Sequence, residues 1–536
     1  MKKIFHSVLA LAAVAITASC TDLDVDVKSK YTEYPDSKVA LEGKMSDVYY
    51  SFRSALGNNY NRVQTFSSDE ATGVSYGTDY FDKGENIHPS IHNFMPDDSP
   101  ASYWSDLASG ITKCNKIINE FSDNPSSAAP ARLMRAFYHF ILMDSYGDVP
   151  ILNHLPDDGE AVERSPRKDV AEFIESEVKA CIPDLSSSSD ASTYGKPNRW
   201  MAEALLVKLY INWGVYTCGD VTKYDAASTA NEKLNDCVTY CDDIIKSGLF
   251  DLSDAFRKKF MYDNGSQIKD FIYAMPYDKV SAQGMLYGRY RTFRRIDDGD
   301  TVGYLGGKMG KSCAGICAMN PEFSDLFCLE GDDRNDAVLM GKVFIHDAIT
   351  GEATANPYMY KGAQLEFTHD ITLVDGGLST LNCGATPTGW RQGYRSIKFY
   401  CNPNEYSAYS RYQSNDVPIF RYADIILTKA EAIMRGASAT NGDTPQSLFN
   451  QIRSYVHAPQ LDHTPSLQEL LDERGREFFD ENWRRNDMIR FGTFENEYGF
   501  HKHSNPDARF DKECRILPVP TDMLKENTNW KQNAGY

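Results

Sequence analysis

No Cys-x-x-Cys occurs in the 536 residues; the closest cysteine pairs, Cys237 with Cys241 and Cys313 with Cys317, have three residues between them. A structural zinc site wants two such pairs, or histidines interleaved at short spacing. The eleven histidines do not supply them, so no metal is expected. A Gly-x-Ser-x-Gly elbow, a phosphate-cradling glycine loop and a His-Glu-x-x-His helix are missing as well, which removes the signatures of several common hydrolases and nucleotide enzymes. Nothing in the residues asks for a cofactor. Positive charge is short: 56 Lys and Arg face 75 Asp and Glu, a net −19 that argues against nucleic acid or an anionic bilayer as the main partner. The one long apolar run, Ile4 to Ala18, is interrupted by His6, Ser7 and Thr17 and falls short of the roughly 20 residues that span a membrane.

That run is preceded by two lysines and followed by small residues, the pattern of a secretion signal over residues 1–19. Its removal takes Lys2 and Lys3 but no acid, so the exported chain carries −21. Cys20 follows at once and resembles the acylated cysteine of a bacterial lipobox, although Thr17 stands where Leu, Val or Ile is usual. Two or three acyl chains, at roughly 0.8 kcal/mol per buried methylene, hold a protein stably on a membrane. The expectation is a lipid-anchored chain with an acidic tether over 20–35. Asp22, Asp24, Asp26 and Glu33 also fall at positions 1, 3, 5 and 12 of a calcium-loop template, but Val27 occupies the position that needs glycine. With Cys20 acylated, eleven cysteines remain, an odd number, and most are expected to pack as small core residues.

Helical signals dominate the rest, and with 42% apolar residues the chain can bury a large core. Residues 199–213 are apolar almost all round, with Glu203, Lys208 and Asn212 as a narrow polar strip, which suits a helix buried among helices. Residues 103–121 and 131–143 read as a helical hairpin joined by the breaker-rich loop SDNPSSAAP. Residues 421–435 place Ile426, Ala430 and Ile433 on one stripe ending at Gly436. Residues 466–490 continue with Ser466 as a cap and Asp472/Arg476, Asp480/Arg484 and Glu481/Arg485 as exposed pairs four apart. From about 281 to 415 the chain is rich in Gly, Tyr and Arg, with strand-like pieces such as GKVFI and SIKFY, and reads as a loop-rich insertion, where binding sites usually sit.

Catalytic constellations are thin. Asp69-Glu70, Asp97-Asp98, Asp297-Asp298 and Asp332-Asp333 are carboxylate doublets of the kind a glycoside hydrolase needs, yet such doublets are common in a chain with 75 acids. Aromatic residues carry more. Tyr76, Tyr80 and Phe81 lie in one loop-like stretch; Tyr287, Tyr290, Phe293 and Tyr304 lie in the insertion. Flat rings on loops stack on sugar rings, at roughly 0.5–1.5 kcal/mol each, while Asp and Arg side chains bond the hydroxyls. The expected ligand set is Asp69, Tyr76, Tyr80, Phe81, Tyr287, Arg289, Tyr290 and Tyr304. Arg289, Arg291, Arg294 and Arg295 form a basic patch that would meet uronate or sulfate groups or pair with the protein's own aspartates.

Several long segments in order carry a family resemblance: YWSDLASGITKCNKII (103–118), RAFYHFILMDSYGDVPIL (135–152), CDDIIKSGLFDL (241–252), PIFRYADIILTKAEAIMRG (418–436), LFNQIRSYV (448–456), ERGREFFDENWRRNDMIRFG (473–492) and ILPVPTDMLKENTNWKQNAGY (516–536). They resemble the SusD/RagB family of outer-membrane nutrient-binding lipoproteins, with Ala534 where the family's ending has proline. The resemblance implies a mainly α protein, a tetratricopeptide-like helical superhelix with a loop-rich, partly β insertion, its N-terminal part over 36–270 and its C-terminal part over 271–536. It implies a non-catalytic, outward-facing outer-membrane lipoprotein that lies as a lid on a SusC-like TonB-dependent transporter and passes oligosaccharide to it; a peptide-binding member and a glycoside hydrolase are the alternatives. Arg421, Glu431, Glu473, Glu477, Trp483 and Arg490 match family motifs that hold the scaffold. Ligand residues vary among members, so none of the expected ligand set is carried over from the family.

Overall fold

The structure, a computed structural model, describes residues 38–99, 102–157, 159–294, 303–374 and 376–536. Cys20, Asp22, Asp24, Asp26, Glu33, Arg295 and Asp297-Asp298 lie outside the described residues. The chain divides into two compact units, Met1–Ser46 and Asp47–Tyr536.

The scaffold of the second unit is a succession of paired helices. α1 (Trp104–Glu120) packs on α2 (Pro125–Tyr146), and α2 on α3 (Arg167–Cys181); α4 (Arg199–Ile211) packs on α5 (Leu234–Ser247), α5 on α6 (Tyr422–Met434), and α6 on α7 (Pro445–Tyr455). α8 (Leu467–Phe478) and α9 (Arg484–Phe491) close the series. Every residue of α4 from Trp200 to Ile211 is buried, as the nearly continuous apolar surface of that segment requires. Lys208, the centre of its polar strip, is held inside by Asp424 at 2.5 Å and lies 4.3 Å from the ring centre of Trp483. α7 and α8 each start with a capping box, Thr444 with Ser447 and Ser466 with Glu469, which satisfies amide groups that a helix leaves unpaired at its first turn.

Two helical expectations are corrected. The loop SDNPSSAAP is shorter than it reads, because α2 starts at Pro125: the Asn124 side chain accepts from the Ser127 N–H at 3.2 Å, and proline at the first helical position has no amide to waste. Residues 466–490 form two helices, since Asp480 (φ 63°) and Asn482 (φ 71°) turn the backbone left-handed between them. The charges there are therefore not exposed pairs four apart. Asp480 is buried against Arg291 at 2.5 Å, Glu481 against Lys398 at 2.6 Å and Arg421 at 2.9 Å, and Arg484 reaches Asp69.

The insertion leaves the scaffold through β2 (Phe271–Met275) and returns through β4 (Val417–Arg421), which pair antiparallel with Arg421 opposite Phe271. A second antiparallel pair joins β1 (Ala71–Gly73) to β3 (Cys317–Met319). Elsewhere the insertion holds short two-stranded ribbons; Gly341–Lys342, Phe344–His346 and Arg395–Ser396 are the strand portions of GKVFI and of the start of SIKFY. It has a core of its own, including Phe293, Tyr304, Phe367, Tyr400 and Tyr406.

The neck is tied by buried ions. Asp270, just before β2, pairs with Arg421 at the end of β4 (2.6 Å) and with Lys259 (2.8 Å), and Arg421 also reaches Glu477 at 2.6 Å. Glu477 pairs with Arg334, which holds Glu473 and Asp332 at 2.7 Å each. Glu431 takes Arg490 at 2.7 Å, and the Trp483 indole donates to the Ile419 carbonyl at 2.9 Å. Each scaffold residue expected from the motifs thus has a buried structural partner. Nine of the eleven described cysteines are buried and none is in a disulfide; Cys218 is half-buried and Cys328 exposed.

Candidate ligand-binding surface

The stretch that leaves β1 is anchored along its whole length. The Val74 amide donates to the Ile316 carbonyl, Ser75 to Leu381, and Cys383 back to Ser75, all at 3.0 Å. The Asn382 side chain then accepts from the Gly77 amide at 2.7 Å, and Tyr76 and Asp79 exchange backbone bonds across a tight turn. Beyond the turn Tyr80 (φ 62°), Asp82 (φ 46°) and Lys83 (φ 59°) all sit in the left-handed region. Non-glycine residues there cost of order 1–3 kcal/mol each and persist only where the surroundings enforce them, often at ligand-contacting segments. Asn86 supplies part of that enforcement: its amide reaches the Tyr80 carbonyl and the Asp82 carboxylate, and Arg62 bonds its oxygen.

The expected ligand residues separate into two groups. Tyr80 is half-buried, with its inner side on the insertion core, and Phe81 is half-buried over Ile87, Ile91 and Leu381. Arg289 is half-buried, its guanidinium 5.6 Å from the Tyr290 ring centre. The others are corrected. Tyr76, Tyr287 and Tyr304 have no face open to solvent, and Tyr290 almost none. The Tyr287 hydroxyl accepts from Asn482 at 3.2 Å, that of Tyr290 donates to Asn58 at 3.0 Å, and that of Tyr304 accepts from the Phe293 amide at 2.8 Å. These rings pack because the insertion encloses a core, so aromatic side chains in a loop-rich stretch are not free for stacking. Asp69, half-buried, is occupied by both arms of Arg484 at 2.7 Å and fastens α9.

Tyr76 binds the Gly315 carbonyl with its hydroxyl. Burial pushes that phenol up to about 12, against the pull of Arg395 and Arg294 nearby. The Arg294 guanidinium lies 5.3 Å from the Tyr76 ring centre and 4.9 Å from that of Tyr80, and pairs with Asp79 at 2.5 Å. Arg291, its neighbour in the basic patch, is spent on buried Asp480. Nothing in the sequence marks Arg395, Asp79 or Asn382 as part of this surface, since the contacts join segments 80 to 305 residues apart. Nor does it mark a groove of about 710 Å³ between Arg257, Asp336, Phe344, His346 and Glu352.

The described carboxylate doublets are structurally engaged apart from Asp97, which is exposed. Asp332 clamps Arg334, Asp333 bonds His457, Asp98 bonds His88 at 2.9 Å, and Glu70 is buried, its carboxyl held well above the usual range by burial and by Asp480 and Asp69. Among the described residues no group of three or more His, Cys, Asp or Glu is placed to hold a metal. No helix among them is long and apolar enough to cross a membrane.

A stacked-helix scaffold that presents half-exposed rings on an enforced loop has the form of a binding surface. Residues 377–536 match the family model described as SusD family, and residues 23–211 match one described as starch-binding associating with outer membrane. The chain belongs to the SusD/RagB family. The starch-binding protein SusD of Bacteroides thetaiotaomicron is 25% identical over 437 residues, 76% of this chain and 72% of the relative. Surface glycan-binding protein A from Bacteroides fluxus superposes with a TM-score of 0.69 at 19% identity, covering 94% of this chain and all of the other. Its namesake from B. thetaiotaomicron, solved in complex with laminarihexaose, gives 0.68 at 17% identity, with 92% and 99% covered.

Proposed function

We propose that this protein is a non-catalytic glycan-binding lipoprotein, held on the outer face of the outer membrane by Cys20, that captures oligosaccharide and passes it to a SusC-like TonB-dependent transporter. The observation that carries the reading is the loop of Tyr80 and Phe81: two half-exposed rings on backbone held left-handed at Tyr80, beside Arg294 and Asp79. Rings supply stacking area and the charged pair supplies hydroxyl partners, the division of labour of a sugar site. The relatives support the class of ligand, one being named for starch and one holding laminarihexaose. Weak affinity at a single site suffices where the transporter keeps the effective concentration high. Residues 1–19 are the signal and 20–35 the tether in this reading. Isothermal titration of the soluble chain against a panel of oligosaccharides tests it: binding to at least one, weakened roughly three- to tenfold by Tyr80→Ala, is expected from one lost ring contact. Binding to peptides with silence on every glycan would overturn it in favour of a peptide-binding member.

A further inference from the structure

Around Tyr76 the protein buries more positive charge than its described residues neutralise. Arg395 is completely buried, and its hydrogen bonds go to the backbone carbonyls of Trp390, Gln392, Gly393, Tyr394 and Gly315, with no carboxylate among them. Arg294, 7% exposed, donates a single hydrogen bond among the described residues, to Asp79, and its Nε is buried without a partner. Asp79 is the one carboxylate among the described residues that meets this pair of guanidiniums, and its side chain is 61% exposed. The Gly315 carbonyl, which takes both the Tyr76 hydroxyl and Arg395, connects the two arginines through the tyrosine between them.

A buried cation is tolerated when paired: Arg334, Arg421, Arg474 and Arg490 of the scaffold each hold carboxylates that are themselves buried, whereas Arg167 and Arg485, like Arg395, are held by backbone carbonyls. At Arg294 the counterion is a surface side chain that solvent already reaches. Such an aspartate is replaceable by an incoming anion of the same geometry, and a guanidinium with spare donors donates two bonds to a carboxylate or sulfate where Asp79 receives one.

We infer that the Tyr80 surface selects sugars bearing a carboxylate or sulfate group, with Arg294 as the anion receptor, Asp79 as the internal ligand that the anion displaces, and Tyr80 as the ring that stacks beside it. The inference rests on the glycan-binding reading and narrows it. It runs against the net charge of the exported chain, −21 once the two signal lysines leave the full chain's −19, which repels anions at long range, and the repulsion is screened beyond about 10 Å at 0.1 M salt.

The test is titration of the soluble chain, and of its Asp79→Asn and Arg294→Lys variants, with trigalacturonate, a sulfated galactan oligosaccharide without uronate (a κ-carrageenan tetrasaccharide), galactotriose and laminarihexaose, melting curves confirming that each variant is folded. Expected is binding of one of the two anionic sugars at least tenfold tighter than either neutral one, the carboxylate and sulfate arms saying which group is read. Asp79→Asn, which removes the competing charge at an exposed position, strengthens anionic binding severalfold and brings no such gain for the neutral sugars; Arg294→Lys weakens anionic binding. Neutral sugars binding as tightly as anionic ones, or an Asp79→Asn variant without effect on anionic binding, would overturn the anion reading while the glycan reading stands. Silence on all four sugars and on the wider glycan panel would overturn both.

Discussion

Asp270 is the point at which the neck of the insertion is most exposed to a single substitution. Its carboxylate accepts from Lys259 Nζ at 2.8 Å, from Arg421 Nε at 2.9 Å and Nη2 at 2.6 Å, and from the Ala423 amide at 2.9 Å, the last opening α6. Burial alone pushes such a carboxyl up, but Arg421 and Lys259 outweigh it and hold Asp270 at about 2. Against an ordinary value of 3.8, a drop to about 2 corresponds to about 2 kcal/mol of stability. The folded value lies below the unfolded one, so this contribution is present above pH 4 and fades as pH falls towards 2. Asp270→Asn removes the charge without changing the shape, and the loss should exceed that figure. An amide has one oxygen: turned towards the cations it points its NH₂ at the Ala423 N–H, and flipped it points NH₂ at Lys259 and Arg421. Lys259 is left with no carboxylate, because Asp270 is its single ion-pair partner among the described residues, whereas Arg421 keeps Glu477 and Glu481. Removing one partner of a buried pair costs about 3–5 kcal/mol. Urea unfolding at pH 7 should show that loss as a lower midpoint with an unchanged slope, and Lys259→Met added to Asp270→Asn should restore part of it by deleting the stranded ammonium. A single variant within about 1 kcal/mol of wild type, or a double variant worse than the single, would refute the account.

Tyr287→Ala empties a buried site and strips Asn482 of an acceptor; a loss of about 3–5 kcal/mol is expected in the same urea assay, with an unchanged melting temperature refuting its place in the core. Glu70 carries the opposite sign to Asp270: its folded value is raised, first by burial and then by Asp480 and Asp69, so the folded state keeps a proton that the unfolded chain releases and stability drains away as pH rises above about 4.5. Glu70→Gln, which keeps the neutral form, should raise the melting temperature at pH 8 and leave it unchanged at pH 4; equal effects at both would show that Glu70 is ionised in the fold. Cys20→Ala should move the protein from the membrane fraction to the soluble one with glycan affinity intact, and retention on the membrane would remove Cys20 as the anchor.

Periodicity made the helices legible where packing decides them. The all-round apolar surface of 199–213 has one explanation, and α4 is buried accordingly. Boundaries failed where a local signal has two meanings: Asn124-Pro125 is both a turn signal and a helix start, and only the Ser127 amide reaching back to Asn124 settles which. The charges of 466–490 were misread for a related reason. Spacing of four suits pairs on an exposed helix, but their partners, Arg291, Lys398 and Arg421, come from 60 to 190 residues earlier in the chain. The ligand set suffered most. A stretch without periodicity reads as loop, and loop reads as exposed, yet short ribbons, a helical turn over Tyr287–Arg291 and backbone bonds in turns are enough to satisfy the backbone and let Tyr76, Tyr287 and Tyr304 go inside.

The same contrast separates scaffold from site. In the scaffold, charge is buried in sets that close on themselves: Asp424 with Lys208 and Arg474, Asp487 with Arg474 and Arg490, Glu431 with Arg490 and Arg435. Burial pushes Glu431 up, but Arg490 and Arg435 outweigh it and keep it below its ordinary value, so the set holds its charges at neutral pH. Such a set specifies one arrangement of helices, because any slip leaves an ion buried alone at a cost of several kcal/mol. A ligand site cannot be closed in this way. It has to hold spare donors that water or a weak internal partner satisfies until the ligand arrives, and Arg294 with exposed Asp79 has that form while Arg421 with buried Asp270 does not. On the proposed glycan-binding reading, the scaffold keeps its shape whatever sugar is bound, and specificity rests on the few side chains whose partners face solvent.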